Sequence, residues 1–195
     1  GEKVGKSLNE LHEKCLTEVI LLSRNSADSG LRVFNSIEHH GLSIRRAAFT
    51  NGSTTYPYLE ALGAHLFLSA RPDDVRDAIN QGCAAATMMP STSKKHKEDN
   101  TLRIAFDGDA VLFSDELERI HREEGLAAVA KNEKDKANKP LDSGPFRGFL
   151  GALSAVQEEF CNQNCPVRTA LVTARSAPAH ERVIKTLRSW NIKLD

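Results

Sequence analysis

The chain has 195 residues, 40% of them hydrophobic and 27% charged, with Lys+Arg and Asp+Glu both at 26 and a formal net charge of zero. Such a balance excludes the basic field expected of a nucleic-acid or anionic-membrane binder, and no apolar stretch is long enough to span a bilayer. The start lacks the apolar core of a signal peptide, so the expected setting is the cytoplasm, with enough chain to bury a proper core.

Gly1-Glu2-Lys3-Val4-Gly5-Lys6-Ser7 imitates a phosphate-binding P-loop but is one residue short, and no strand precedes it. A strand-helix unit begins at Val19 and runs to His39-His40-Gly41, where a partly charged imidazole suits the helix dipole and glycine suits the cap. A strand follows at Arg46 to Thr50, then the loop Asn51-Gly52-Ser53, a short helix near Tyr56 to Leu62 and a strand at His65 to Leu68. Pro72 opens a helix over Asp73 to Asn80, in which Asp73 and Asp74 are acids favoured by the dipole at a helix start. Cys83 to Met88 reads as a further strand and Ser91 to Asn100, with Lys94, Lys95 and Lys97, as a polar linker.

The run Leu102 to Phe113 is the most informative. Apolar residues lead into Asp107-Gly108-Asp109, which predicts a buried parallel strand delivering two carboxylates at its carboxyl end, with Gly108 giving the backbone room to turn. An aspartate at a strand tip can attack a phosphoryl group in line, and a second acid two residues on can protonate the departing alkoxide and later deprotonate water. Both Asp107 and Asp109 also offer hard oxygen ligands to Mg²⁺. Ser114 to Lys131 is helical in pattern, Asn132 to Lys139 is polar, and Phe146 to Phe160 is an amphipathic helix.

Arg168 to Val172 predicts another strand, after which Thr173-Ala174-Arg175-Ser176 leads to a helix signal at Pro178. A hydroxyl and fresh backbone N–H groups meet there, a good seat for a phosphate, to which Arg175 adds a charged donor. Cys15, Cys83, Cys161 and Cys165 lack the close spacing of a zinc ribbon and fit reduced thiols.

An internal repeat links the two halves. Val19 to Ile44 lies over Thr169 to Leu194 at a constant offset of 150, placing Ser23 on Thr173, Ser26 on Ser176, Ala27 on Ala177, Arg32 on Arg182 and Val33 on Val183. The expected organisation is therefore a first-copy α/β unit over 8–90, the linker 91–100, and a second unit over 101–195 with a cap-like insertion about 114–145. The second copy stops before the later strands of the first, so the chain reads as clipped at both ends relative to a duplicated parent.

The residues F-D-G-D-A-V-L-F-S-D-E resemble the first motif of the haloacid dehalogenase superfamily. Together with A-L-V-T-A-R-S-A-P, N-K-P-L-D-S-G-P-F-R-G-F-L and L-L-S-R-N-S-A-D-S-G-L-R-V-F-N-S-I-E-H-H-G-L-S-I, they resemble the cytosolic 5′-nucleotidase I family, over nearly everything from Leu8 to Asp195. The resemblance implies a doubly wound, mostly parallel Rossmann-like sheet with a helical cap, and Mg²⁺-dependent hydrolysis of nucleoside 5′-monophosphates through an aspartyl-phosphate in the cytosol. It puts Asp107 in the nucleophile's place, Asp109 in the acid/base's, and Thr173 in that of the hydroxyl binding the phosphoryl group. The superfamily also uses a lysine and a later acidic pair. Neither is visible after Thr173, and Ser69-Ala70 holds the matching place in the first copy, which reads as degenerate. Two other readings stay open: a phosphatase or mutase for other small phosphomonoesters, and a catalytically silent fragment that binds a nucleotide or a partner. The expected partner is a nucleoside monophosphate, with no nucleic acid and no membrane, and the sequence leaves a homo-oligomer open.

Overall fold

The computed structural model describes residues 16–90, 101–160, 165–175 and 179–194. The chain divides into two compact units, one of Gly1–Gln81 and Ala85–Leu102, the other of Gly82–Ala84 and Arg103–Asp195. The P-loop-like start, Cys15, the lysines of the polar linker, Cys161 and Pro178 lie outside the described residues.

The first unit holds two strand-helix-strand segments. Strand β1 (Ile20–Ser23) pairs in parallel with β2 (Arg46–Phe49) in the register Ile20 to Arg46 and Ser23 to Phe49, and helix α1 (Gly30–His39) connects them. Strand β3 (Phe67–Ser69) pairs in parallel with β4 (Ala85–Thr87) across helix α2 (Pro72–Asn80). Apolar residues at helical spacing, Val75 and Ala78, bury one face of α2. Asp74, foreseen only as a helix-start acid, is 4% exposed and forms ion pairs with Arg24, just after β1, and with Arg71. That pair ties the end of β1 to the first turn of α2.

In the second unit, strand β5 (Leu102–Asp107) and strand β6 (Val167–Val172) are hydrogen-bonded neighbours. Between them come helices α3 (Glu116–Glu124), α4 (Leu126–Asp135) and α5 (Arg147–Glu159), and α6 (Ala179–Ser189) follows β6. Displaced by 150 residues, α1 falls inside α6 and ends with it at Ser189.

The α/β class is thus present, with parallel pairing in the first unit. The ladders differ from the single doubly wound sheet expected: three two-stranded ladders form among the described residues, from strands only three to six residues long. β5 also departs from a strand buried on both faces. Its residues alternate, with Phe106 buried and Arg103, Ala105 and Asp107 exposed, the pattern of a strand covered on one face. The helix expected over Ser114 to Lys131 is two helices broken at Gly125, whose φ of +82° ends α3. The polar stretch from Asn132 onward continues α4 to Asp135.

The core of this unit packs α5 and α6 around Phe106, Leu112 and Phe113. Leu150, Leu153, Val156 and Phe160 bury the inner face of α5, and the rings of Phe106, Phe146 and Phe149 meet at 6.0–6.5 Å. Val183, Thr186 and Leu187 bury α6, and Thr186 Oγ1 accepts the Leu141 N–H at 2.9 Å. The loop 142–146 is laced to the segment after β5: Ser114 N–H donates to Asp142 O, and Gly144 N–H donates to Leu112 O at 2.8 Å. A Cβ on Gly144 would stand 2.3 Å from Val111 O and 2.6 Å from Phe113 O, so only glycine fits between those carbonyls.

Gly144→Ala is expected to cost about 2 kcal/mol or more, because backbone atoms cannot retreat as a flexible side chain can. Differential scanning calorimetry should show the second unit melting roughly 10 °C lower. A second prediction concerns acid. Glu116 is hydrogen-bonded to Lys136, which holds its carboxyl below the usual value of 4.5 against the opposing effect of burial. A folded-state value below the unfolded one gives stability that is present above pH 4.5 and lost as pH falls through the folded value. The melting difference between wild type and Glu116→Gln should therefore be constant near neutrality and close up below that pH.

Candidate active site

β5 ends at Asp107, where the backbone is extended with φ −72° and ψ 145°. The next residues make one wide turn closed by Phe113 N–H donating to Gly108 O at 2.9 Å. Leu112 and Phe113 are fully buried and anchor the turn, leaving Asp109 on its outer side. The left-handed backbone conformation falls at Ala110, with φ +61°, and not at Gly108. Gly108 is needed for another reason than the one expected from sequence. A Cβ there would lie 3.2 Å from Thr173 Cβ and 3.3 Å from its Oγ1, so the bare glycine lets the end of β6 close against the Asp-Gly-Asp turn.

Thr173 begins the exit from β6, and its Oγ1 accepts the Arg175 N–H at 3.2 Å. The first unit repeats this turn, with Ser23 Oγ accepting the Asn25 N–H at 3.2 Å, and Ser69 Oγ accepts the Arg71 N–H at 3.1 Å after β3. A hydroxyl turn at a strand end is therefore shared, whereas the acids beside it belong to the second unit.

Three of the four expected residues meet: Thr173 packs on Gly108 and Arg175 reaches back to Asp109, while Asp107, the last residue of β5, precedes that glycine in the chain. The Asp107 carboxylate is exposed and makes no hydrogen bond or ion pair among the described residues. Asp109 is the opposite case: Arg175 Nε donates to its two oxygens at 3.2 and 3.3 Å, and Arg175 Nη2 pairs with Oδ1. Arg175 is not a surface arginine, since its side chain is 5% exposed and its guanidinium lies 5.7 Å from the Phe113 ring centroid.

Sequence reasoning missed what stands behind Arg175. Glu133 on α4 accepts from Arg175 Nη1 at 3.4 Å and from Arg182 Nη1 at 2.8 Å, both on Oε1. Arg182 is buried on α6 and also donates to the carbonyls of Lys139 at 2.7 Å and Pro140 at 3.4 Å. The only signal for Arg182 was its match to Arg32 in the repeat, and Arg32 is exposed. Glu133 carried no signal, because it lay in a stretch read only as polar.

Asp107 and Asp109 are hard-oxygen donors of the kind Mg²⁺ takes, and that ion is ordinarily held by one or two carboxylates with the rest of its shell from phosphate and water. The pair fits such a group in kind. Among the described residues no set of three or more His, Cys, Asp or Glu is placed to hold a metal.

The ends of two neighbouring strands thus carry an exposed acid, a guanidinium-held acid and a hydroxyl. The model of the 5′-nucleotidase family matches residues 3–195, and human cytosolic 5′-nucleotidase 1B is 41% identical over 98% of this chain. The chain belongs to the cytosolic 5′-nucleotidase I family. It spans 33% of that relative's length. No solved structure matches it. Among the described residues no helix is long and apolar enough to cross a membrane.

The Gly108–Thr173 approach predicts coupled stabilities. Gly108→Ala should cost about 1 kcal/mol in urea unfolding as Thr173 is pushed aside. Introduced into Thr173→Gly, which removes the opposing Cβ, the same change should add almost nothing.

Proposed function

We propose that this site hydrolyses nucleoside 5′-monophosphates to nucleoside and phosphate. The observation that carries the reading is an Asp109 carboxylate held by Arg175, with Thr173 against Gly108 and an exposed Asp107 at the end of β5 that is unpaired among the described residues. Asp107 attacks phosphorus in line, and the bond to the 5′-oxygen breaks as Asp109 delivers a proton to it. Water, losing a proton to Asp109, then cleaves the aspartyl-phosphate and restores both acids. The Thr173 hydroxyl and the Arg175 guanidinium hold the phosphoryl oxygens. An entering phosphate competes with Asp109 for Arg175, and that exchange leaves the Asp109 oxygens free to handle a proton.

Asp107 and Asp109 are also the residues that would hold Mg²⁺, which when bound neutralises charge on the transferring group. The dehalogenase-like architecture, with α3 and α4 as a cap that shuts out water, is part of the same proposal, as is a cytosolic setting. The family match and the name of the human relative support the nucleotide as substrate. A second reading, a nucleotide-binding segment without turnover, is favoured by the hold of Arg175 on both oxygens of Asp109, the acid that turnover needs for proton transfer.

Phosphate release from AMP, IMP, deoxynucleotides and sugar phosphates, each with and without Mg²⁺, tests these readings. We expect Mg²⁺-dependent release from nucleoside monophosphates and a loss of about a thousandfold or more in Asp107→Asn. Preference for a sugar phosphate would overturn the substrate assignment. AMP binding by calorimetry with no release above the Asp107→Asn background would establish the second reading.

A further inference from the structure

We infer that Glu133 is a positioning residue for Asp109, acting from the inserted helix α4 through the far edge of Arg175. This inference deepens the proposed function and rests on it for its catalytic consequence. The guanidinium of Arg175 has two working edges. Nε and Nη2 face Asp109, and Nη1 faces Glu133 Oε1. The Arg175 side chain is 5% exposed and Glu133 9%, so solvent gives their contact little replacement, whereas Asp109 is 31% exposed.

Glu133 is itself 9% exposed and takes both arginines on a single oxygen, while its Oε2 is buried with no hydrogen-bond partner among the described residues. A carboxylate held so incompletely would be costly unless both cations were required beside it. Two carboxylates and two guanidiniums make the row neutral: Asp109, Arg175, Glu133, Arg182. Arg182 is fixed independently by the carbonyls of Lys139 and Pro140, so it gives Glu133 a stationary anchor. Glu133 therefore keeps one edge of Arg175 in place while the other edge passes from Asp109 to a phosphate. The guanidinium turns about that anchor and does not leave the site. Placement of α4 is thereby felt at Asp109.

Glu133→Gln tests this, because it keeps the Oε1 acceptor and alters only the charge and the unpartnered atom. Proton exchange at the Arg175 Nε–H, followed by ¹⁵N NMR and assigned by its loss in Arg175→Lys, should quicken about tenfold. Backbone amides of β5 and β6 should exchange as in wild type. Acceleration of both together, or of neither, would overturn the inference, since a merely structural role moves them together. Glu133→Asp, which keeps the charge but withdraws it, should show the same selective loosening and decides the matter if Glu133→Gln does not fold. Collapse of both variants would make Glu133 a folding residue and overturn the assignment. With AMP and Mg²⁺, kcat/KM of Glu133→Gln should fall about tenfold in parallel. A wild-type chain that releases no phosphate would overturn the proposed function alone, with the exchange measurement still deciding for Glu133.

Discussion

The guanidinium of Arg175 is buried between two carboxylates that arrive from different elements, Asp109 from the turn after β5 and Glu133 from α4. A charge removed from water in this way is tolerable only while its counter-charges stay within reach, and removal of one partner from such a buried pair costs about 3–5 kcal/mol. The consequence is geometric. The exits of β5 and β6, the inserted helix α4 and, through Arg182, helix α6 are tied to one row of alternating charge. The Phe113 ring lies 5.7 Å from the Arg175 guanidinium and 5.7 Å from the Trp190 ring, which adds an aromatic neighbour to the row.

That row explains why the two related strand ends differ. Ser23 and Thr173 make the same hydroxyl turn, and α1 and α6 follow at the same offset. In the second unit α4, between β5 and β6, supplies Glu133, and there the matched arginine of the helix is buried whereas Arg32 is exposed. Arg24 in the first unit is drawn instead to Asp74, where the pair fastens one strand-helix-strand segment to the next. The same hydroxyl turn stands beside a cohesive ion pair in one unit and beside the Arg175–Asp109 pair in the other.

The order of the elements was readable from apolar periodicity, and the strand ends from their hydroxyl, glycine and acidic residues. Asp107, Asp109, Thr173 and Arg175 could all be named, because each lies at a strand end or within three residues of one, and strand ends are where such folds gather ligands. The continuation of α4 into a polar stretch was not readable, since Asn132 to Asp135 have no apolar pattern and are held in the helix by its own hydrogen bonds. Glu133 was hidden for that reason. A lone acid in a polar run looks like any solvated side chain until the helix direction is known.

Local chemistry along the chain was therefore enough to determine where the strands end and which acids and hydroxyl stand there, because those signals depend on neighbours two or three residues apart. Tertiary structure alone decided that Gly108 serves close approach rather than a turn, that Arg175 is buried on Asp109, and that Glu133 and Arg182 back it. These depend on contacts between residues 42 to 66 positions apart in the chain. Such contacts exist only once packing has excluded water and made each buried charge seek a partner.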